Sequence, residues 1–257
     1  MSLDQQDLHA WADRIHEAHQ SSLLLQPISD QVELSLADAY NIQSLLTERR
    51  LAAGASRIGW KLGYTSDAMR HQMGVTEPNL GPLLSSMLLI SGPVPSTFTQ
   101  PRVEPEIALR MAADLPPQCS FSEAADAVGA AHAALEIVDS VWADYRFTLP
   151  DNTADGSSAA AVVLGPELAP TDDLGSVEVD FFRNDVKLGT GHGRDAMGHP
   201  LTALCWLSGE LSRHNRFVRA GDIVLTGGLT SAARLTLGDT LRATFNSNVE
   251  VVASLPA

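Results

Sequence analysis

Apolar positions recur at helical spacing near the start of the chain. Residues from about 4 to 20 mix acids, histidines and arginines with scattered apolar residues and predict a polar amphipathic helix. Ser35 can cap a second helix that runs through Leu36, Ala39, Ile42 and Leu46 to Gly54. The pattern then changes. Ile58-Gly59-Trp60-Lys61-Leu62-Gly63-Tyr64 reads as a short strand with a glycine on either side of its lysine, and Ser66 opens a helix to Met73. Gly74 to Pro101 holds five of the fourteen prolines and little periodicity, which predicts a loop with short strands. Loops of that length in compact domains are usually functional or mobile.

Arg102 to Leu109 is an apolar, strand-like run. Ser120-Phe121-Ser122-Glu123 matches a capping box and predicts a helix to about Ala133. Ala134-Leu135-Glu136-Ile137-Val138-Asp139 follows as an apolar strand interrupted by two acids. Further strands are expected at Ala159 to Leu164, Val177 to Phe182 and Gly221 to Leu225. His199-Pro200 starts a helix with Leu201, Leu204, Leu207 and Leu211 on one side, and two last strands meet at Asn246-Ser247-Asn248. Strands outnumber helices and do not alternate with them regularly. The expectation is an α+β protein with mixed or mostly antiparallel sheets and peripheral helices. Residues 1–56 would form an N-terminal helical cap on a β-rich body of residues 57–257, in one compact unit.

The residues most suggestive of chemistry lie in Arg102-Val103-Glu104-Pro105-Glu106-Ile107. In an extended chain residues two apart point to the same side, so Glu104 and Glu106 share a face. Partly buried together, they would repel unless a cation sat between them. Carboxylate oxygens suit magnesium or manganese better than zinc or copper. The plain alternative is a solvated strand edge. Glu136 is a third acid at an apolar strand position, and its competing reading is a buried salt bridge to an arginine such as Arg102. Asp139 could join the cluster or support it from outside.

Lys61 lies between Trp60 and Leu62, where desolvation, and any adjacent metal, would lower its pKa. Such a lysine can act as acid or base or bind a carboxylate; a snorkelling surface lysine is the ordinary reading. In the loop Leu149 to Ser158, Asp155 and Ser158 can position a water, although Asn, Asp and Ser clusters are also routine turn chemistry. Gly189-Thr190-Gly191-His192-Gly193-Arg194-Asp195-Ala196 overlaps a dinucleotide fingerprint, but its glycines do not open a helix. A tight loop with amides facing a ligand carboxylate or a neighbouring strand suits it better. His192 and His199 read as loop and helix-start residues, with ligand or base as the rarer use. Gly227-Gly228 forms a similar strand-end loop.

Composition narrows the partners. Seventeen Lys and Arg stand against 31 Asp and Glu, a formal charge of -14, which disfavours nucleic acid and anionic membranes. An anionic ligand would therefore need local positive charge. No apolar run approaches a membrane span, and Met1 to Gln20 lacks the apolar core of a signal peptide. Cys119 and Cys205 read as packing residues compatible with a reducing cytoplasm.

Gly59-Trp60-Lys61-Leu62-Gly63, the Glu104-Pro105-Glu106 strand, Leu135-Glu136-Ile137-Val138-Asp139, the Asp155 to Ser158 loop, Gly198-His199-Pro200-Leu201 and Gly221 to Gly227, in this order and spacing, resemble the 2-keto-4-pentenoate hydratase family. That family belongs to the fumarylacetoacetate hydrolase superfamily and includes 4-oxalocrotonate decarboxylases. The resemblance implies a β-rich roll with N-terminal helices and a magnesium or manganese ion on Glu104, Glu106 and Glu136. It also implies a 2-oxo or 2-hydroxydienoic acid chelating that ion. Lys61 matches the family's active-site lysine and Ser158 its substrate-pocket serine; Leu80, Gly191, His192 and Gly227 are the candidate substrate-contacting positions. Homo-oligomers are usual in the family, and association with a pathway partner enzyme is a further expectation.

In a hydratase, Lys61 would handle a proton or stabilise the substrate's 2-oxygen, while Asp155 and Ser158 orient water. One departure matters. Many hydratases carry an aspartate in a P-D-aromatic-G turn, whereas this chain has Pro78-Asn79-Leu80-Gly81. Trp60 before Lys61 also looks more like the decarboxylases. The alternatives to a hydratase are thus a 4-oxalocrotonate-type decarboxylase, a C–C hydrolase of the wider superfamily, and a non-catalytic 2-oxo acid binding or scaffold subunit.

Overall fold

Asp4 and Asp7 cap each other's backbone amides and open helix α1, Gln5–Ser21. Its apolar residues Leu8, Trp11, Ala12, Ile15 and Ala18 keep helical spacing and are all buried. A 17-residue helix is marginal alone, so α1 depends on that stripe, each large side chain contributing about 1.5–3 kcal/mol. Ser35 caps α2, Leu36–Ala52, as expected. The two helices share an apolar cluster with Val141, Trp142 and Ala154 from the middle of the chain. The computed structural model describes residues 3–66, 70–71, 74–169 and 173–257. Most of the helix expected from Ser66 to Met73 therefore lies outside the described residues.

An eight-stranded mixed sheet carries the central part. It contains β1 (Arg57–Gly63), β2 (Asn79–Leu84), β3 (Leu88–Ile90), β5 (Arg102–Met111), β6 (Val128–Val138), β7 (Ala159–Glu167), β10 (Ile223–Leu225) and the short β11 (Ala233–Arg234). Its order is β2-β1-β10-β5-β6-β7-β3, with β11 on β5. The β1–β10 and β3–β7 pairs are parallel and the rest antiparallel. A second sheet orders β4 (Gly92–Pro93), β13 (Val249–Ser254), β12 (Thr240–Phe245), β8 (Glu178–Arg183) and β9 (Val186–His192). β13 packs across β6 and β7, and the main core lies between the sheets, with helix α5, Pro200–Arg213, adding Leu201, Leu204, Leu207 and Leu211. The fold is α+β with helices peripheral to mixed sheets.

Three local expectations are corrected. The capping box at Ser120 is real, but the helix it opens, α3, spans only Phe121–Ala127, and Val128 begins β6. The alanine-rich stretch that followed favours helix by propensity, yet Ala130, Ala131, His132 and Ala133 pair in register with Arg110 to Ile107, and tertiary pairing wins. The stretch Gly189 to Ala196 is no tight loop: Val186 to His192 is strand β9, paired with β8, and only Gly193–Asp195 turn. The loop before Ser158 contains helix α4, Leu149–Ala154, capped by Thr148 with Asp151 reciprocating. In the proline-rich segment β2 is fully buried, a stronger strand than its composition announced.

Candidate metal centre and substrate cavity

Register brings the three glutamates together. Glu104 stands directly opposite Glu136 in the β5–β6 pair, and Glu106 lies two residues along the same face. One carboxylate oxygen from each lies within 4.8 Å of the others. Pro105 sits in a central strand, where a proline is normally excluded. It is tolerated because its carbonyl, and hence the side on which its N–H would point, faces the chain after β10, where the ladder lapses. There Leu229 N donates to Pro105 O at 2.9 Å and Gly227 N donates to Glu106 Oε2 at 2.8 Å.

Glu106 and Glu136 are buried, and Glu104 keeps some exposure. Desolvation, followed by Glu136, pushes Glu104 up to about 7. The same two causes raise Glu106 strongly, with only partial relief from Lys61 and the Gly227 amide. Burial also raises Glu136. Glu106 Oε1 and Glu136 Oε1 are sealed from solvent without a hydrogen-bond donor, and Glu136 Oε2 meets only the Lys61 ammonium. Buried, orphaned carboxylate oxygens converging on one point demand a cation, and the all-oxygen donor set fits magnesium or manganese.

Lys61 Nζ lies 3.2 Å from Glu136 Oε2, so Lys61 and not Arg102 is the basic partner of Glu136. With no metal on the glutamates, the expected lowering of Lys61 by burial is outweighed. Burial does oppose its charge, but Glu136, Glu106 and Glu104 together hold its pKa above the ordinary value. The ammonium also donates to the Ser157 carbonyl at 3.0 Å and approaches Ser157 Oγ at 3.2 Å. The glycine at the end of β1 has a steric reason: a Cβ at Gly63 would collide with Asn79 Oδ1 and Ser157 Oγ.

From Ser157 a buried chain of polar side chains runs on. Ser157 Oγ donates to Asn79 Oδ1 at 2.9 Å, and Asn79 Nδ2 donates to Asn152 Oδ1 at 2.9 Å and Thr153 Oγ1 at 3.0 Å. Asn152 Nδ2 donates to Ser158 Oγ at 2.9 Å. Asp155 Oδ1 accepts from the Ser158 amide at 2.7 Å, and Ser140 Oγ donates to Oδ2 at 3.2 Å. Desolvation outweighs these bonds and pushes Asp155 up to about 7. Gln43 of α2 donates to the Leu80 and Thr153 carbonyls at 2.9 and 2.8 Å, tying the N-terminal helices to this network.

A cavity of about 190 Å³ opens onto the cluster, lined by Lys61, Glu104, Arg102, Asn152, Ser157 and Ser158 among others. Val138, Tyr145 and Phe147 supply its apolar wall. Arg102 stacks on Tyr145, 3.9 Å from the ring centroid, and leaves a cation in the cavity. Asp155 is buried beneath the lining. Leu80 is in the main core, Gly227 touches the site through its amide, and neither Gly191 nor His192 is among the lining residues. Gly191 pairs with Val179, where a Cβ would strike the Leu229 carbonyl, and His192 Nε2 lies 3.5 Å from Glu178. Asp139 points elsewhere, accepting from the Thr99 and Gln100 amides at 2.8 and 2.7 Å. Sequence reasoning missed Ser157, Asn152 and the cavity role of Arg102. The one available signal was Thr148-Leu149-Pro150-Asp151, a capping pattern that places Asn152 on a helix.

The family model described as fumarylacetoacetate (FAA) hydrolase C-terminal matches residues 77–254. The chain belongs to the fumarylacetoacetate hydrolase family. This family member is 35% identical to a 2-keto-4-pentenoate hydratase of Burkholderia vietnamiensis, over 94% of the chain and 98% of the relative. It is 32% identical to a 4-oxalocrotonate decarboxylase of a Pseudomonas species, over 90% of the chain and 91% of that protein. A solved 4-oxalocrotonate decarboxylase from Pseudomonas putida, complexed with magnesium and adipate, matches with a TM-score of 0.93 at 27% identity, covering 98% of each chain. The β-rich roll with N-terminal helices is thus shared with that decarboxylase over 98% of each chain.

Proposed function

We propose that this chain is a divalent-metal-dependent hydratase that adds water to a 2-hydroxy-2,4-dienoate and yields a 4-hydroxy-2-oxo acid, a lyase reaction of aromatic catabolism. The observation that carries the reading is the converging trio Glu104, Glu106 and Glu136, with orphaned oxygens, beside a cavity that also presents Lys61 and Arg102. Hydratase is also the name borne by the 35% identical relative. Magnesium or manganese held by the three glutamates would supply Lewis acidity toward the substrate's carboxylate and 2-oxygen.

The chain's own residues do the rest. Arg102, fixed on Tyr145, pairs with the substrate carboxylate in a cavity whose protein is otherwise strongly acidic. Lys61, steadied by the Ser157 carbonyl and beside Glu136, donates to the 2-oxygen as negative charge grows there. Loss of the 2-hydroxyl proton with protonation at carbon 5 gives the conjugated 2-oxo-3-enoate; water then adds its hydroxyl at carbon 4 and its proton is returned at carbon 3. Asn152 and Ser158 present the polar groups that orient the water, while Asp155 holds Ser158 in place through its amide. Val138, Tyr145 and Phe147 keep bulk solvent from the reacting carbons. Two free cysteines, one buried, suit a reducing cytoplasm, and a homo-oligomer completes the reading.

Asn79 favours a second reading, a 4-oxalocrotonate-type decarboxylase. Its amide stands in the buried network where many hydratases have a carboxylate, and losing carbon dioxide needs no water-activating acid. An ultraviolet assay with magnesium, manganese or EDTA separates the two. Dienoate consumption with formation of a hydroxy-oxo acid is expected; carbon dioxide release from 2-oxohex-3-enedioate instead establishes the decarboxylase. Metal binding without turnover of either would sink both and favour a binding subunit or another substrate.

A further inference from the structure

A second cavity, of about 750 Å³, opens on the other side of the Asp155 to Ser158 turn: Ser158 lines the substrate cavity, whereas Ala159 and Ala160 line this one. Its remaining wall includes His16 and His19 from α1 and Arg50 from α2. Arg50 is the unusual member. Arg49, Arg57, Arg146 and Arg219 each pair with an aspartate, but among the described residues Arg50 makes neither an ion pair nor a hydrogen bond. Burial lowers its pKa to about 10, with Asp155 only partly offsetting that. Arg50 is half-buried and faces this cavity without an anionic partner, in a chain of formal charge -14 that has acids to spare.

The neighbouring imidazoles are in the same condition. His16 Nδ1 and His19 Nε2 are buried without partners. His16 Nε2 meets Gln20 Nε2 at 3.1 Å, which makes that nitrogen the acceptor and Nδ1 the unused donor. Asp139 is the carboxylate that lines this cavity, and the amides of Thr99 and Gln100 already occupy both its oxygens. Arg50 and the His16 Nδ1 donor thus line this cavity without a protein acceptor, while His19 already meets the Asp155 backbone.

We propose that this cavity is a second ligand site, taking the oxyanion of a small phosphate- or carboxylate-bearing molecule on Arg50, with His16 as a further donor and His19 lining the wall. The guanidinium fork matches both anions, so the charge and shape of the occupant, not its source, define the class. An occupant would rest against Ala159 and Ala160, directly after Ser158, and so bear on the turn that holds the Ser157 carbonyl against Lys61.

The test titrates full-length protein, labelled with nitrogen-15 in its histidines, with inorganic phosphate and with succinate, against sodium chloride at matched ionic strength. Saturable shifts of the His16 and His19 ring nitrogens are expected, and the probe that saturates first identifies the source. Arg50→Gln should weaken binding at least about tenfold, and Arg50→Lys should weaken it less. Thermal melts check that both variants fold, and the wild-type titration stands without them. Absence of saturable shifts, identical behaviour in chloride, or undiminished affinity in Arg50→Gln would overturn the proposal. So would sedimentation showing that Arg50→Gln dissociates an oligomer, since an acidic side chain of a second copy would then fill the cavity. None of these readouts requires turnover, so the site stands or falls apart from the hydratase reading.

Discussion

Ser157 Oγ donates to Asn79 Oδ1 at 2.9 Å, and this single bond joins the lysine side of the substrate cavity to its asparagine side. Asn79 is fully buried and uses its amide in both directions, accepting from Ser157 and donating to Asn152 and Thr153. An aspartate there would keep the acceptor and lose both donors. Asn79→Asp should therefore cost about 1–3 kcal/mol of stability, read from urea unfolding. If the missing acid is what favours water addition, the same variant should raise the ratio of hydration to decarboxylation in the paired assay. An unchanged ratio in a folded variant would remove Asn79 from that choice.

Ser157 serves Lys61 in two ways, through its carbonyl and its hydroxyl. Ser157→Ala keeps the first and deletes the second, along with the bond to Asn79. A loss of about 0.5–1.5 kcal/mol in stability is expected, with a fall in kcat larger than any rise in KM, because the hydroxyl helps to hold the ammonium and not the substrate. A pure KM effect would place Ser157 in substrate binding instead.

The glutamate trio was legible because strand geometry alone puts Glu104 and Glu106 on one face, and Glu136 broke an apolar pattern. The register that sets Glu104 opposite Glu136 was not, since it depends on where β6 begins, and the alanines after Val128 read locally as helix. The two N-terminal helices, α5 and the last hairpin followed from caps and periodicity. Lys61 was found, but not the three acids that oppose its desolvation in the metal-free protein, since these face it across the sheet. Asn152 and Ser157 act through contacts with Asn79, more than seventy residues away, and no local pattern announces such a pairing.

Glu106→Gln separates metal binding from folding. The substitution removes a charge that burial, Glu136 and Glu104 all disfavour, so in EDTA the variant should melt at or above the wild-type temperature. Added magnesium should raise the melting temperature of wild type and hardly move that of the variant, whose metal-dependent turnover should vanish. Equal magnesium stabilisation of both proteins, or wild-type rates in the variant, would sink the metal assignment.

Asp155 gives the site a pH dependence separate from the metal ligands. Desolvation raises its pKa from 3.8 to about 7, against the pull of Ser158 and Ser140. A carboxyl raised in this way binds its proton more tightly in the folded protein. It favours folding below its unfolded value and loses that contribution as pH climbs through the folded one. Stability should therefore decline between about pH 4 and pH 7, by a few kcal/mol at most from this group. Asp155→Asn retains an oxygen to accept from the Ser158 amide and has no charge to bury, so its profile should be flatter over the same range. Urea midpoints of the two proteins in saturating magnesium, which keeps the glutamates in the same state in both, make the comparison. The variant should gain on wild type through this range and differ most from it above about pH 7, where wild type alone buries a charge. Parallel profiles would mean that Asp155 is already ionised in the folded protein and that its hydrogen bonds, not its burial, set its charge.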